Sequence, residues 1–167
     1  DGTLANTFLL ADCSPVTNAS QPTGFCDLGA DVFFAASAAG YGNEPLLTDG
    51  TSSGTGLVAD LWSGTSGSSP TYVASTGALA YFSASVPGGR QLLCSDGTTL
   101  GTQQLTSTTP QVDPRGITAF GNLVVFSGNS ATSGREPWVS DGTIQGTHEL
   151  LDLLPGVADS ISLLQED

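Results

Sequence analysis

The sequence predicts an all-β fold of tandem four-stranded antiparallel blades, similar to those of a β-propeller, that do not close a ring on their own. The first observation is a repeated Asp-Gly-Thr stretch, whose aspartates lie at positions 1, 49, 96 and 141 of the 167-residue chain. The second is a series of short apolar runs, rich in β-branched and aromatic residues, between these stretches. The third is the lack of apolar residues at helical spacing, together with 22 Gly and 9 Pro.

Each repeat contains a turn in which Asp-Gly-Thr is followed by a second Gly-Thr or Asn-Thr pair. The triplet occurs as Asp1-Gly2-Thr3, which opens the chain, and as Asp49-Gly50-Thr51, Asp96-Gly97-Thr98 and Asp141-Gly142-Thr143. Glycine reaches positive φ without a clash, and aspartate accepts hydrogen bonds from its own backbone, so the stretch predicts a β-hairpin turn. Two roles are open for the aspartates. Each carboxylate ties down its own turn, or each is a ligand of a Ca²⁺ ion, which takes about six to eight oxygens.

Proline, glycine and phenylalanine mark the first two strands of each repeat. The three sets at this spacing are Pro22, Gly29 and Phe34; Pro70, Gly77 and Phe82; and Pro114, Gly121 and Phe126. The spacing predicts a strand, a tight glycine turn and a longer strand that is buried on both faces. The third strand leads into the Asp-Gly-Thr turn, and the fourth strand follows it.

We describe the chain, residues 1–167, as a single repeat array. Counted from the turns, its divisions are repeat 1 at 1–48, repeat 2 at 49–95, repeat 3 at 96–140, and a partial repeat with a C-terminal tail at 141–167. The fourth strand has one more copy than the other strands, an orphan near 7–11. A propeller ring needs about four to eight blades, so three blades leave the array open. We therefore expect the orphan strand at Phe8, Leu9 and Leu10 to be an assembly strand that completes a sheet of a neighbouring copy.

The last copy of the repeat resembles the ELWxxDGT repeat of large secreted bacterial proteins, through Glu136-Pro137-Trp138-Val139-Ser140-Asp141-Gly142-Thr143. The pairs Gly146-Thr147 and Pro155-Gly156 extend the resemblance, which covers the whole chain. It implies propeller-like, surface-exposed repeats, and it supplies no catalytic residues.

The composition predicts an extracellular protein and excludes several kinds of partner. The net charge is −13, with three Arg and no Lys, so the chain has no basic face for nucleic acid or anionic lipid. No apolar run approaches the length of about 18 residues that a membrane span needs. Only 11% of residues are charged, and the abundant Ser, Thr, Asn and Gly are typical of a secreted protein. The one Asn-x-Ser/Thr sequon predicts a glycan on Asn18.

Cysteine and histidine usage predicts one disulfide and no catalytic centre. Cys13 and Cys26 bracket a short polar loop, which predicts a disulfide in an oxidising compartment; the alternative is two reduced thiols. Cys94 occupies the place of Leu47 in its repeat and is predicted to be a small core residue. His148 is the only histidine, and the cysteines lack C-x-x-C spacing, so no zinc site is expected. We predict no cofactor, with calcium as the alternative, and no enzymatic activity.

These observations predict an extracellular structural repeat protein. It would be a subunit of a surface fibre or appendage, a homo-oligomer assembled head to tail by strand complementation. The alternative is a carbohydrate- or calcium-binding adhesion module of a larger secreted propeller protein. A third reading, a fragment of a propeller hydrolase, would use paired carboxylates such as Glu44 and Glu136, but their equivalent repeat positions favour a structural role. The absence of Met predicts a processed product or a segment of a longer protein.

Overall fold

The computed structural model describes residues 3–15, 19–107 and 111–153, and over these residues the fold is all-β, as predicted. Twelve strands form three four-stranded antiparallel sheets, which we call blades 1, 2 and 3. Blade 1 comprises β1 (Thr23–Leu28), β2 (Asp31–Ala38), β3 (Gly42–Thr48) and β4 (Gly56–Leu57). Blade 2 comprises β5 (Thr71–Ser75), β6 (Ala80–Val86), β7 (Gly89–Ser95) and β8 (Gln103–Gln104). Blade 3 comprises β9 (Arg115–Phe120), β10 (Leu123–Ser130), β11 (Gly134–Ser140) and β12 (His148–Glu149).

Helical structure is limited, in the ranges that the structure describes, to one 3-10 turn at Leu4–Asn6. No helix in these ranges has the length and apolar character needed to cross a membrane.

The strands of each blade pair in chain order. The predicted glycine turn joins the first two strands, so that Leu28 pairs with Asp31 across Gly29, which has a φ of 63°. The second and third strands form the longest ladder, from Val32 opposite Thr48 to Ala38 opposite Gly42 in blade 1. The fourth strand pairs with the third through a ladder of only two residue pairs. The Asp-Gly-Thr turn therefore lies inside each blade, between its third and fourth strands. A repeat counted from one turn to the next instead begins with the fourth strand of one blade and ends with the third strand of the next.

Every first strand carries a β-bulge two residues after the predicted proline. The pairing register shifts between Thr23 and Cys26 in blade 1, and the shift recurs in blades 2 and 3. The residue at this position has a left-handed backbone in each blade: Gly24 at φ 63°, Tyr72 at φ 53° and Gly116 at φ 60°. Such a residue allows two residues to oppose one across the ladder. The sequence pattern concealed the bulge because Tyr72 interrupts the glycine signal in the middle copy.

The apolar cores lie between the blades. We call face A the side of a blade that carries the phenylalanine of the predicted spacing, and face B the opposite side. Face B of blade 1, with Leu28 and Phe33, packs on face A of blade 2, where the rings of Phe33 and Phe82 lie 5.1 Å apart. Face B of blade 2, with Tyr81 and Cys94, packs in the same way on face A of blade 3. This arrangement explains why the second strands are apolar on both sides.

The first and last faces have no blade against them in the described part of the chain. Face A of blade 1 is a small cluster of Phe34, Ala36 and Leu46. Phe25 stacks on Phe34 with 5.4 Å between ring centroids, yet it is 60% exposed. Face B of blade 3 presents Phe120, which is 74% exposed. The open array predicted from the blade count thus has one apolar face at each end.

The N-terminal segment does not form the predicted fourth strand in the single chain. Residues 7–11 pair with no strand, and Phe8 and Leu9 are 75% and 80% exposed. Fourth strands in this fold are two residues long and pair with the third strand of their own blade. The first described strand is β1, at Thr23–Leu28, so the described ranges contain no third strand with which residues 7–11 could pair as a fourth strand. The strand prediction is therefore wrong for the single chain, and the assembly role of Phe8, Leu9 and Leu10 stays a prediction.

Candidate functional site

The Asp-Gly-Thr turns close on themselves through the same hydrogen bonds in every blade. In blade 2, Asp96 Oδ1 accepts bonds of 2.9 Å from the backbone N–H of Thr98 and 2.7 Å from its hydroxyl. The Thr98 hydroxyl accepts a bond of 2.9 Å from the N–H of Gly101. The turns at Asp49 and Asp141 repeat this network. The threonine hydroxyl, and then the threonine N–H, lowers the pKa of each aspartate by bonding to its charged form.

Each aspartate ties down its own turn, which is the first of the two roles considered above; the Ca²⁺ role stays a prediction. Within the described ranges, no group of three or more His, Cys, Asp or Glu side chains is arranged to hold a metal ion. Each turn contributes a single carboxylate, whereas a Ca²⁺ ion takes about six to eight oxygens.

The second glycine of the turn is required by a close approach to the aspartate. A β-carbon built on Gly101 would lie 2.1 Å from Asp96 Oδ1, and the same contact recurs at Gly54 and Gly146. An alanine here displaces the carboxylate from its hydrogen bonds.

We expect Gly101→Ala to lower the melting temperature by about 2–6 °C, the effect of roughly 1–2 kcal/mol in a domain of this size. Gly56→Ala is the matched control, because a β-carbon at Gly56 has no atom within 4 Å. Since the clash is with Asp96, Gly101→Ala should cost much less in an Asp96→Ala background, as calorimetry of the double-mutant cycle would show. Equal losses in both backgrounds would contradict this account of the turn.

A fully buried polar side chain occupies the same position in the third strand of each blade: Glu44, Gln91 and Glu136. The Glu44 carboxylate accepts bonds of 3.0 Å from the backbone N–H groups of Trp62 and Ser68, and a short bond from the Ser68 hydroxyl. Burial raises the pKa of Glu44, while these hydrogen bonds oppose the shift. Glu44 therefore fastens the segment that follows β4 to the middle of its own blade.

The equivalent residues fasten the equivalent segments. Glu136 Oε2 accepts a bond of 3.0 Å from the N–H of Leu153, and Gln91 Oε1 accepts one of 2.6 Å from the Thr106 hydroxyl. The glutamates raised as hydrolase candidates thus bind the main chain after the fourth strand. Their shared position was visible in the sequence, but their burial was not, because it comes from neighbouring segments.

Two of the arginines have a role that the sequence analysis did not identify. Arg90 donates to the carbonyl oxygens of Ser69 and Ser83, at 2.9 and 2.8 Å. Arg135 donates in the same way to the carbonyl oxygens of Asp113 and Ser127, at 3.0 and 3.3 Å. Ser69 and Asp113 each precede the predicted proline with a left-handed backbone, at φ 50° and 46°. The guanidinium groups therefore fix the backbone just before the first strand of blades 2 and 3. The sequence signal for this role was the Gly-Arg pair that precedes the buried Gln or Glu in both repeats.

The predicted disulfide is absent, and Cys13, Cys26 and Cys94 are free thiols. Cys26 packs against the core between blades 1 and 2, whereas Cys13 packs on face A of blade 1. The sheet of blade 1 separates the two cysteines, because strand alternation turns Cys26 away from the side on which Cys13 lies. Cys94 is a buried core residue, as predicted. His148 is exposed on β12, and Asn18 lies outside the described residues.

The strongest candidate for a functional surface is the pair of end faces, which are face A of blade 1 and face B of blade 3. Equivalent positions in the three blades show how these faces differ from the faces between blades. The residue after the fourth strand follows the same path in each blade: Val58 N–H bonds to Pro45 O at 2.9 Å, Leu105 N–H to Leu92 O at 2.8 Å, and Leu150 N–H to Pro137 O at 2.8 Å. Val58 and Leu105 are 4% and 3% exposed, since a further blade covers them, whereas Leu150 is 51% exposed. The position is therefore buried where a described blade follows it, and half exposed after blade 3, the last blade that the structure describes.

The first glycine of the turns shows the same contrast at the other end of the array. A β-carbon built on Gly97 would lie 3.2 Å from Leu47 of blade 1, and one on Gly142 would lie 2.7 Å from Leu79 of blade 2. At the equivalent Gly50 of blade 1, no atom lies within 4 Å. Face B of one blade thus receives the turn of the next, and the turn of blade 1 has no such face against it.

Comparison with known proteins identifies the fold class. No family model matches the chain, and no curated protein matches it, so the ELWxxDGT resemblance stays a prediction. A chain in the crystal structure of a nidogen/laminin complex is similar, with a TM-score of 0.51 and 16% sequence identity over 81% of this chain. The match covers 50% of that chain, so this protein spans about half the length of the structure it matches. Over the residues that the structure describes, the fold is of the propeller type, with three repeated four-stranded blades that do not form a closed ring.

Proposed function

We propose that this chain is a non-enzymatic, extracellular structural subunit that joins copies of itself head to tail into a surface fibre. The observation that carries the proposal is the contrast between equivalent positions, with Val58 and Leu105 buried and Leu150 half exposed. A face that is covered at every internal junction is built for a blade of the same kind, and a second copy supplies one.

The two ends are complementary because the chain already joins faces of these two kinds. Face B packs on face A at both internal junctions. In the described part of the chain, the faces with no blade against them are face B of blade 3 and face A of blade 1, where Phe34 and Leu46 are buried but Phe25 is 60% exposed. Such a contact is heterologous, so each copy keeps one free face of each kind and the array can grow. Burial of an exposed phenylalanine such as Phe120 contributes about 1.5–3 kcal/mol to such a contact.

The structure favours contact between sheet faces over insertion of a strand. Each described blade has its own fourth strand, so no strand position is vacant for Phe8, Leu9 and Leu10 of a neighbour. Secretion, and a glycan on Asn18, are supported by the low charge, the lack of Lys and the sequon.

Sedimentation velocity over a range of concentrations tests this function. We expect the chain to associate and Phe120→Asp to weaken association at least tenfold, which corresponds to about 1.4 kcal/mol. Leu100→Asp is the matched control, because Leu100 is fully exposed on the turn of blade 2 and lies on neither end face. A chain that stays monomeric, or a Leu100→Asp effect equal to that of Phe120→Asp, would overturn the proposal.

Negative-stain microscopy of the associated material separates a fibre from a closed ring. Long filaments support the fibre, and uniform rings would overturn it while leaving the contact between end faces in place. Binding on a glycan array, or saturable calcium uptake, by a chain that does not associate would support the adhesion module instead.

A further inference from the structure

We infer that face A of blade 1 is the docking site for residues 150–153 of a second copy, and that residues 9–13 of the same chain occupy this site until they are displaced. This inference rests on the proposed head-to-tail association and adds the segment that docks and the segment that it replaces. We call residues 150–153 the C-terminal tail and residues 9–13 the N-terminal strap.

The tail and the strap are copies of the same repeat segment. Counted from the threonine before each fourth strand, Leu150, Leu151 and Leu153 correspond to Val58, Ala59 and Leu61, and also to Leu10, Ala11 and Cys13. The aspartate shared by the three copies is Asp12, Asp60 or Asp152. The tail and the strap therefore compete for the same kind of binding site.

The copy that follows β4 shows where this binding site lies. Val58, Ala59 and Leu61 follow β4 and pack in the core between blade 1 and blade 2. The carbonyl oxygen of Val58 accepts a bond of 2.6 Å from the Thr99 hydroxyl, in the turn of blade 2. A segment of this kind thus leaves its own blade and lies against face A and the turn of the next blade.

The strap lies at the equivalent binding site, on face A of blade 1, but leaves part of it unfilled. Cys13 packs against the Phe34 and Leu46 cluster, and its carbonyl oxygen accepts a bond of 3.0 Å from Ala39 N–H. A cleft of about 220 Å³ remains between the strap and face A, lined by Leu10, Phe25 and Phe34 among others. The strap therefore covers face A only in part.

The tail has the side chains to fill this cleft. Leucine replaces Ala11 at Leu151 and Cys13 at Leu153, so the tail brings more apolar volume to the same positions. Leu150, Leu151 and Leu153 are 51%, 60% and 56% exposed in the single chain, so they gain from burial. Exchange of the strap for the tail of another copy exposes the smaller side chains and buries the larger ones.

Two variants of the full chain test the exchange by sedimentation velocity. A Leu150→Asp/Leu151→Asp chain lacks the apolar tail, and we expect its association to weaken at least tenfold. Leu10→Asp loosens the strap, and we expect its association to strengthen at least threefold. Leu100→Asp is again the control, and circular dichroism checks that each variant is folded.

A direct readout is the thiol of Cys13, which becomes accessible when the strap leaves. The probe is the peptide of residues 148–153, added to the full chain, with a scrambled peptide as control. We expect the 148–153 peptide to speed thiol labelling severalfold and the increase to vanish in Cys13→Ser. The scrambled peptide should leave the rate unchanged.

The outcomes separate this inference from the proposed function. If the chain associates and Phe120→Asp weakens association, but the tail and strap variants behave as the wild type and the peptide exposes no thiol, the exchange is overturned and the function stands. If the chain never associates but the peptide releases Cys13, the docking site stands and the fibre is overturned.

Discussion

Replacing Phe82 with alanine lowers the free energy of unfolding by about 4 kcal/mol, within the range for buried phenylalanine. Phe82 has no exposed surface, and its ring lies 5.1 Å from that of Phe33, in the core between blades 1 and 2. The loss combines the transfer free energy of the ring with the cavity left between two packed sheets. Urea denaturation followed by tryptophan fluorescence would measure it.

The control is a phenylalanine that has no blade against it. Phe120 is 74% exposed on face B of blade 3, so Phe120→Ala should change the unfolding free energy of the monomer by less than about 0.5 kcal/mol. Similar losses for the two substitutions, measured at a concentration where the chain is monomeric, would show that the cores between blades are not the main source of stability.

Replacing Glu44 with alanine destabilises the chain by about 3–4 kcal/mol, because buried donors without an acceptor cost about 1–3 kcal/mol each. The substitution removes the acceptor of two backbone N–H groups, at Trp62 and Ser68, and of the Ser68 hydroxyl. Glu44→Gln keeps one carboxamide oxygen and should lose less. Chemical denaturation of the three proteins at neutral pH gives the comparison.

The pH dependence of the difference in unfolding free energy between the wild type and Glu44→Gln tests whether the Glu44 carboxyl group is buried. Burial raises the pKa of Glu44 in the folded chain, so the folded state holds this proton more tightly than the unfolded state. The stability of the wild type relative to Glu44→Gln is therefore greatest below the ordinary glutamate pKa. It falls as pH rises through the higher folded pKa. A relative stability that rises with pH across this window would contradict the burial of the carboxyl group.

The strands were predictable because the signals that set them are local and recur three times. Proline, a glycine turn and a phenylalanine fix the first two strands. The hydrogen bonds among Asp96, Thr98 and Gly101 all lie within residues 96–101. Repetition strengthened each of these signals, since a chance pattern does not recur at the same spacing.

What could not be predicted depends on contacts between distant segments. Residues 7–11 match a fourth strand in sequence, but a strand forms only where a third strand offers its edge. Cys13 and Cys26 are near in sequence, but the sheet of blade 1 lies between them. The burial of Glu44 is set by Trp62 and Ser68, which lie 18 and 24 residues further along the chain.

The fourth strands pair through two residue pairs, beside ladders of seven between the second and third strands, and this difference has a mechanical consequence for the fibre that we propose. When one chain is pulled, load enters each blade at its first and fourth strands, and the fourth strand has the shorter ladder to break. The fourth strands detach before the longer ladders between the second and third strands break. Each detached strand lengthens the chain by the residues that it releases. In the fibre that we propose, such blades would extend under a sudden pull and recover their length when the pull ends, because the inner ladders on which the fourth strands pair would still be in place.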